Sequence, residues 1–345
     1  MNFARRETHR VVVLFNASEQ LIRGDARDML AEQGVVACAH EIAQALTTAG
    51  HTVELLPLRG DVELALTDYL PSEWIVFNLA EGLDGRMFEE ARIAWTLEAM
   101  GYTITGARGQ HLALTTHKAR CKALLAGQGV PTPTWWNLHP GEEIGPAMSP
   151  AVVFPAIVKP VAEDASIGLD NAAVVNSLEE LRQRAAYIWQ RYRQSALVET
   201  FVDGREFNVA IWGTPAEVLP LAEIDFSALE ESTPLIVSYS AKWETDTFEY
   251  AHTPAICPAQ VEDSLAERIR QVALDAWKLV GGVGYGRVDL RVSQEGAPYV
   301  IEVNCNPDIS ADAGFYRAAK AAGYSYAAMA EHILEEALRA KSAYD

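Results

Sequence analysis

Cysteine is scarce in this sequence, with four residues among 345 positions. Cys38, Cys121, Cys257 and Cys305 lie far apart and show none of the close spacings of zinc ligands or of a disulfide-rich small domain. We therefore expect reduced and mostly buried thiols. Cys305 adjoins Asn304, but no neighbouring residue supplies the base that a catalytic thiol needs.

Basic residues are also in short supply, because 28 Lys and Arg face 47 Asp and Glu and the net charge is −19. Such a surface does not attract nucleic acid or an anionic membrane, so neither is an expected partner. No apolar run reaches the ~20 residues of a membrane span, and the opening MNFARRETHR lacks the apolar segment of a signal peptide. These absences predict a cytoplasmic protein with small-molecule partners, including a nucleotide in a locally basic pocket.

The remaining composition is that of an ordinary globular protein, with 49% apolar and 22% charged residues. A chain of 345 residues exceeds a typical single domain and suggests two or three. Apolar runs at 11–15, 53–57 and 74–78 alternate with helical spacing at 36–49 and 87–100. This alternation predicts a first α/β unit, a parallel sheet with helices on its faces, that ends near residue 107.

Two loops follow strands of this predicted sheet, at 16–32 and 78–85. Ligands of parallel sheets collect at the carboxyl ends of the strands, so both loops are candidate binding segments. Glu32 and Glu81 lie in these loops. Solvated loop glutamates are more common than binding ones, and that interpretation stays open at this point.

The next part of the chain combines helix-forming and turn-forming residues. Helical spacing at 112–127 includes Lys118 and Lys122, which stand four positions apart. The Pro- and Gly-rich stretch at 131–155 predicts a connector with little regular structure.

A β-rich run, FPAIVKP, places Lys159 at the end of an apolar strand. The small-residue loop that follows, at 161–168, contains Ser166 and can fold over a phosphate. A strand at 172–175 and a helix at 177–192 come next, and VETFVDGREFNV then reads as two strands joined by an Asp-Gly turn.

A polar, aromatic-rich segment at 227–254 contains Lys242 in the run YSAKWE. Irregular segments of this length are usually lids, binding loops or disordered, and a solvated lysine is the simple alternative. Helical spacing returns at 261–280, and two further helices are predicted at 311–322 and 326–340.

Two alternating runs, YGRVDLRV and YVIEVNCNP, predict a hairpin with a Glu-Gly turn. Arg287, Asp289 and Arg291 share one face of the first strand, and Glu302 and Asn304 share one face of the second. Two carboxylates about 4 Å apart repel by roughly 4 kcal/mol at an effective dielectric near 20, so a buried pair needs compensation.

A divalent cation provides that compensation, and the oxygen donors Asp289, Glu302 and Asn304 suit Mg²⁺ that also holds phosphates. The alternative is a solvated face on which Arg287 pairs with Asp289. From these residues alone both interpretations stay open.

The ordered motifs resemble the ATP-grasp superfamily and, within it, the D-alanine–D-alanine ligase family. The resemblance extends from near Val11 to the last helix and rests on Lys118, the FPAIVKP lysine, the small-residue loop, VETFVDGREFNV, Lys242, GRVDL and IEVNCNP. It implies an α/β ATP-grasp fold with three α/β domains, at 1–107, 108–197 and 198–345. ATP would bind between the central and C-terminal domains.

The resemblance also assigns roles to individual residues. Phosphates would be held by Lys118, Lys159 and Ser166, and Lys242 would close a lid onto the γ-phosphate. Arg287 would stabilise an oxyanion, and Glu32 would orient the first substrate. The adenosine would be bound by Glu199, Phe201, Val202 and Glu206, and Mg²⁺, or Mn²⁺, would be ligated by Asp289, Glu302 and Asn304.

The match fails where the family binds its amino acids. Glu32 is present, but Ala165 and Trp243 replace the serine and tyrosine that accompany it in the family, and Glu81 replaces a histidine. The family motif Pro-Gly-Met followed by Ser-Leu becomes PDI followed by AG, which introduces Asp308, with Asp312 nearby. Two acids where a carboxylate should bind would repel it, unless they point to solvent.

The resemblance therefore implies an ATP-dependent ligase that joins a carboxylate to an amine through an acyl phosphate, with rewritten amino-acid sites. A genuine D-alanine–D-alanine ligase and a non-catalytic nucleotide-binding protein are the alternatives. The second would require the loss of a phosphate or metal residue, and none is lost. The expected partners are a carboxylate, an amine or amino acid, and a second copy of the chain in a homodimer.

Overall fold

The computed structural model describes residues 7–17, 21–145, 153–230 and 232–344, and their side chains except at 31–33 and 341–344. Strands in this part of the chain form three sheets. No helix within the described ranges is both long and apolar enough to cross a membrane. All four cysteines are free thiols, and three of them are buried, as expected.

The first sheet is parallel, as predicted, with the strand order β2-β1-β3-β4. Its elements are β1 (Arg10–Asn16), α1 (Met29–Thr48), β2 (Thr52–Leu58), α2 (Val62–Ala65), β3 (Trp74–Asn78), α3 (Glu89–Ala99) and β4 (Thr103–Ile104).

The segment predicted as a loop at 16–32 is already helical from Met29, so that prediction was wrong for its last residues. Gly34 of this helix has a role in packing. A Cβ at this position would lie 3.3 Å from the Trp243 ring, so the glycine lets the indole approach the helix.

The second sheet is antiparallel, with the order β5-β8-β6-β7. Its segment of the chain contains α4 (Gly109–Thr116), α5 (Lys118–Gly127), β5 (Trp135–Leu138), β6 (Ala156–Pro160), β7 (Val174–Val175), α6 (Leu178–Tyr192) and β8 (Ala196–Thr200).

One prediction for this segment was wrong. The single helix predicted at 112–127 is broken at His117, which has a non-helical backbone and caps α5 by accepting from the Arg120 amide. The connector predicted at 131–155 lies outside the described residues at 146–152, and its described part has little regular structure, as expected, apart from β5, which pairs with β8 at the edge of the sheet. Its four residues are too few to show a clear alternation in the sequence.

The third sheet is antiparallel along the path β12-β11-β9-β13-β14, and β10 pairs with β9. This segment contains β9 (Gly204–Trp212), β10 (Glu217–Val218), β11 (Ala222–Ile224), α7 (Tyr239–Trp243), α8 (Phe248–His252), β12 (Ala255–Ile256), α9 (Asp263–Leu279), β13 (Tyr285–Ser293), β14 (Pro298–Asn304), α10 (Gly314–Ala321) and α11 (Tyr326–Tyr344).

Residues 227–254, without residue 231, are named the lid loop below. This segment was predicted to be irregular, but it contains α7 and α8. Ser238 and Thr247 cap the two helices by accepting from backbone amides, so local hydrogen bonds order the segment.

The predicted hairpin is present as β13 and β14. Asp289 lies opposite Glu302, and Arg287 lies opposite Asn304. A register shift follows Asp289, so the regular pairing of the two strands is interrupted next to these residues. Bulges are common next to active sites, where they redirect side chains, so this irregularity is consistent with a functional role for this face of the hairpin.

Separate apolar clusters hold the sheets in place. On one face of the third sheet, Trp277 of α9 packs with Val288 and Leu290 of β13. On the other, Trp212 and Phe315 join the cluster that includes the apolar face of β1. Each fully buried large side chain contributes about 1.5–3 kcal/mol, so these contacts tie the first sheet to the third.

The domain limits given in the sequence analysis remain predictions. The three sheets occupy residues 10–104, 135–200 and 204–304. The proposed limit at 107 falls between β4 and α4, whereas the limit at 197 lies within β8. The last helix returns to the first sheet, where Glu331 pairs with the buried His51 at 2.7 Å.

Gly286 of β13 is expected to tolerate no side chain. A Cβ there would lie 2.1 Å from Trp277, and that indole is fully buried. Gly286→Ala should therefore lower the free energy of unfolding by about 1–3 kcal/mol, the usual cost of overpacking. Urea denaturation measures it, with Gly127→Ala as the matched control, because nothing lies within 4 Å of that position. Equal midpoints for both variants would contradict the expectation.

Candidate active site

Charged side chains of the second and third sheets meet in one group. The hairpin of β13 and β14 provides a wall that carries Arg287, Asp289 and Glu302. Lys118, the first residue of α5, and Lys159, near the end of β6, both make ion pairs with carboxylates in this region. The structure thus brings together lysines and acids that are far apart in sequence.

Lys118 lies at the centre of this group and is only 4% exposed. Its Nζ is 2.6 Å from oxygens of both Asp164 and Glu302, and it donates to the Glu163 carbonyl at 2.6 Å. Burial lowers the pKa of Lys118, but the two carboxylates more than offset this and raise it. The lysine therefore stays charged, and in this structure two carboxylates and a carbonyl face its Nζ. Its phosphate role remains a prediction.

Lys159 and Lys122 share one carboxylate, that of Glu199. The Glu199 oxygens lie 2.5 Å from Lys122 Nζ and 2.7 Å from Lys159 Nζ, and Glu199 is 1% exposed. Burial raises the pKa of Glu199, but the two lysines reverse the shift and lower it. The carboxylate of Glu199, predicted to bind adenosine, thus pairs with two lysines in this structure. The backbone that connects β8 with β9, named the hinge below, remains as the candidate contact for the adenine base.

The role of Lys122 was missed in the sequence. Its spacing of four residues from Lys118 places both lysines on one face of a helix, and this was the available signal. No spacing in the sequence linked Lys122 to its distant partner Glu199.

On the hairpin wall, Arg287 donates to both oxygens of Asp289, at 2.7 and 2.8 Å. Asn208 of the neighbouring strand also donates to Asp289, at 2.8 Å. The pairing matches the alternative weighed in the sequence analysis, but Asp289 is only 6% exposed, so the wall is not a solvated face.

The donor set of this wall fits a hard divalent cation in its chemistry. Asp289 and Glu302 are cross-strand neighbours, and the side-chain oxygen of Asn304 accepts from the Asn306 amide at 2.8 Å. Among the side chains that the structure describes, no cluster of three or more Asp, Glu, His or Cys is arranged to hold a metal. The third donor is instead an amide oxygen, which Mg²⁺ accepts.

The small-residue loop at 161–168 contributes acids that the sequence analysis did not use. Burial and Glu302 raise the pKa of Asp164 to about 6, against the effect of Lys118. Burial raises the pKa of Glu163 to about 7, although Arg23 lies 2.9 Å away. Asp164 pairs with Lys118, the lysine predicted to bind a phosphate, so this loop is more acidic than a loop that only covers a phosphate would be.

This loop is closed against the lid loop. Ser166 donates its hydroxyl to the Val237 carbonyl at 2.8 Å, and the Trp243 indole donates to the Ala165 carbonyl at 2.8 Å. A backbone bond from Tyr239 to the Leu169 carbonyl adds a third link at 2.8 Å. Ser166, predicted to bind a phosphate, therefore joins the two loops in this structure.

The Nζ of Lys242 lies over the ring of Trp243, 5.2 Å from the ring centre. Burial and the nearby Arg287 lower the pKa of Lys242, and Asp308 and Glu81 oppose the shift. These influences place a lid lysine, a wall arginine and two acids close together. The residues predicted to meet the reacting groups are thus gathered at one place.

The two acids near the C-terminal end differ in their surroundings. Asp308 is half-buried, accepts from the Ser310 amide at 2.9 Å and influences Lys242 and Arg287. Asp312 is exposed and accepts from the Ser310 hydroxyl at 3.0 Å. Both acids accept hydrogen bonds within their own turn, and the substrate roles predicted for Asp308 and Asp312 remain predictions.

The predicted adenosine-binding segment connects β8 with β9. Phe201 stacks on the Arg291 guanidinium at 5.0 Å, and the Val202 carbonyl accepts from Arg291 at 2.9 Å. Glu206 pairs with the same arginine at 3.0 Å. Burial raises the pKa of Glu206, and Arg291 opposes that shift.

A cleft of about 380 Å³ lies beside this hinge. It is lined by Thr132, Pro133, Thr134, Thr200, Phe201, Val202, Asp203, Ser293, Gln294, Glu295 and Tyr299. The lining contains acids but no lysine or arginine, so this cleft does not suit a triphosphate. Glu32 belongs to α1, but its side chain lies outside the described residues.

The sequence and fold match known proteins. A model described as D-ala D-ala ligase C-terminus matches residues 124–335. The uncharacterized protein y4sG of Sinorhizobium fredii is 34% identical over 310 residues, or 87% of each chain. D-alanine–D-alanine ligase of Pseudoalteromonas translucida is 32% identical, over 74% of this chain and 78% of its own.

A crystal structure of D-alanine–D-alanine ligase from Bacillus anthracis, complexed with ATP, shares the fold. It has a TM-score of 0.77 at 20% identity and covers 98% of this chain and 100% of its own. VanG D-Ala:D-Ser ligase from Enterococcus faecalis gives a TM-score of 0.69 at 17% identity, over 96% of this chain and 100% of its own. The chain belongs to the D-alanine–D-alanine ligase family of the ATP-grasp superfamily and is an ATP-dependent ligase that forms C–N bonds.

Proposed function

We propose that this ligase joins a carboxylate donor to an acceptor that presents positive charge or a hydroxyl, rather than a free α-carboxylate, toward Asp308. The single observation that carries this proposal is the position of Asp308, half-buried within the influence of Lys242 and Arg287. The non-catalytic alternative is set aside because the chain is a ligase of this family.

The first step is phosphoryl transfer. A donor carboxylate oxygen attacks the γ-phosphorus of ATP, and the bond from that phosphorus to the bridging oxygen breaks. ADP departs, and the donor becomes an acyl phosphate. Lys118 and Lys159 bind the phosphates, and Lys242 approaches them from the lid. Such transfers depend mainly on positioning and on positive charge around the phosphoryl oxygens, which these residues provide.

A divalent cation, Mg²⁺ or Mn²⁺, would be held by Asp289, Glu302 and Asn304 and would supply further positive charge at the phosphates. Each carboxylate oxygen has two lone pairs, so Asp289 can accept from Arg287 and still offer an oxygen lone pair to the cation. Arg287 would then remain beside the cation, on the face of the hairpin that meets the reacting groups.

The second step forms the amide. The acceptor amine attacks the acyl carbon, the carbonyl oxygen becomes an oxyanion, the carbon–oxygen bond to phosphate breaks, and the nitrogen loses a proton. Arg287 stabilises the oxyanion. The contacts between the lid loop and loop 161–168 exclude water, which protects the acyl phosphate from hydrolysis.

The acceptor end of the site carries negative charge. Asp308 and Glu81 both act on Lys242, and Glu41 accepts from the Ala311 amide at 3.0 Å nearby in sequence. A free carboxylate placed here meets repulsion, whereas an ammonium group or a hydroxyl gains a partner. Trp243 fills space beside α1 and Ala165, which favours flat or apolar donors.

The test compares acceptors. Phosphate release and mass spectrometry should show D-alanine with D-alanine at least tenfold slower than diamines or amino-acid amides. Asp308→Asn should lower kcat/KM for a cationic acceptor about tenfold, or about 1.4 kcal/mol, with an unchanged KM for ATP. Asp246→Asn, an exposed acid of the lid loop, is the control. Efficient D-alanyl-D-alanine synthesis by the wild type would overturn the proposal.

That outcome would support a second candidate, D-alanine–D-alanine ligase. It is favoured by relatives of that name, including the 32% identical protein of Methylococcus capsulatus, over 75% of this chain and 77% of its own. Glu32 would then orient the first D-alanine. The assembly that we propose in either case is a homodimer, which light scattering of the purified protein tests.

A further inference from the structure

Arg291 is a buried arginine of β13 whose donors are all directed at the hinge and the lid loop. It is 3% exposed. Nε donates to the Val202 carbonyl at 2.9 Å, and Nη2 donates to the Gly204 carbonyl at 3.0 Å. Nη1 donates to Glu206 at 3.0 Å and also to the carbonyl of Leu235. One guanidinium thus binds both segments.

Two aromatic rings, one from each of these regions, lie beside the guanidinium. Phe201 of the hinge lies 5.0 Å from the guanidinium carbon, and Phe226 lies 5.9 Å from it. Phe226 stands where the chain leaves the third sheet for the lid loop, which contains Leu235. The arginine therefore contacts the lid loop near its start as well as within it.

Arg291 also stands in register with the other wall residues. It pairs with Glu206 across β9, just as Asp289 pairs with Asn208 two residues earlier on the same face. The nucleotide, on the function proposed above, lies along this wall with its ribose at Glu206. Arg291 would then be next to the ribose end and away from the phosphates.

A planar guanidinium is needed for these contacts. Its five N–H groups form a rigid fork, and the planar group can stack between rings, while lysine offers a single mobile ammonium. Met at this position can fill the space but makes none of the hydrogen bonds. We therefore expect Arg291→Lys and Arg291→Met both to lose most of these contacts.

We propose that Arg291 is a positioning residue that couples the ribose end of the nucleotide site to the lid loop. It fixes the Val202 and Gly204 carbonyls and the Glu206 carboxylate, and it attaches the lid loop at Leu235. Binding at the hinge is thereby transmitted to lid closure. This inference rests on the proposed position of the nucleotide. The first test below does not depend on that position.

The first test is hydrogen–deuterium exchange of the nucleotide-free protein. Arg291→Met should raise exchange at least tenfold in peptides of the lid loop and of 200–206, without a change in α9. Arg205→Met is the matched control. Arg205 also pairs with a carboxylate, Glu223, at 2.6 Å and stacks on Phe207 at 5.0 Å, but it does not contact the lid loop.

The second test is nucleotide binding and turnover. Arg291→Met should raise the Kd and KM for ATP about tenfold and leave kcat at saturation within threefold, with Arg291→Lys rescuing little. The double variant Arg291→Met with Glu206→Gln removes the uncompensated buried charge, so that a folded protein is available. Unchanged lid exchange and unchanged Kd in either folded variant would overturn the inference. Failure of the wild type to bind ATP would contradict the proposed function. Hydrogen–deuterium exchange of the lid loop would still decide whether Arg291 attaches that loop to the hinge.

Discussion

Glu302→Gln is expected to lower kcat about a thousandfold, which is about 4 kcal/mol of transition-state stabilisation. The substitution keeps the shape of the side chain and removes the charge that faces Lys118 at 2.6 Å and that would ligate the cation. The fold should remain intact, because Lys118 keeps Asp164 and the Glu163 carbonyl as partners. Removing the sole partner of a buried charge costs several kcal/mol, whereas Lys118 keeps two of its three partners in this variant.

The measurement is phosphate release across a Mg²⁺ titration at saturating ATP. Binding of Mn²⁺ with ADP, followed by electron paramagnetic resonance, gives a readout independent of turnover. Glu295→Gln, an exposed acid in the turn of the same hairpin, is the control. Unchanged activity of Glu302→Gln at ordinary Mg²⁺ would exclude the metal assignment.

The hairpin was predictable because its chemistry is local. Alternation alone placed Asp289 and Glu302 on corresponding faces, and the structure makes them cross-strand neighbours. The register shift after Asp289 was not predicted, because the sequence analysis treated both runs as unbroken alternations.

The neutralising partners of the lysines were not predictable, because they join distant segments. Glu199 binds Lys122 and Lys159 across two elements, and no spacing in the sequence links these positions. Asp164 appeared only as part of a small-residue loop. Its contact with Lys118 depends on how that loop folds, with Ala165 and Ser166 at φ of 54° and 59°.

The role of Trp243 could not be predicted from the sequence. The resemblance marked it as a departure from the family, but a replacement does not say what the new side chain does. Here the indole donates to the Ala165 carbonyl and fills the space left by Gly34. A backbone carbonyl accepts this bond whatever the side chain of residue 165, so alanine suffices at that position.

Arg287→Met is expected to lower kcat by about a hundredfold to a thousandfold, because it removes the donor that we propose stabilises the developing oxyanion. Burial lowers the pKa of Arg287, but the carboxylate of Asp289 more than offsets this, so the guanidinium stays charged. In the proposed function the ATP phosphates are bound by Lys118 and Lys159, so the KM for ATP should change by less than about threefold.

Steady-state kinetics with the best acceptor separates these parameters, and Arg268→Met, an exposed arginine of α9, is the control. Asp289 keeps Asn208 as a donor in the variant, so the wall should stay folded, which a thermal melt checks. A raised KM for ATP with an unchanged kcat would show that Arg287 binds the nucleotide and not the oxyanion. Loss of kcat alone would separate its role from that of Glu302, whose variant should also lose Mn²⁺ binding.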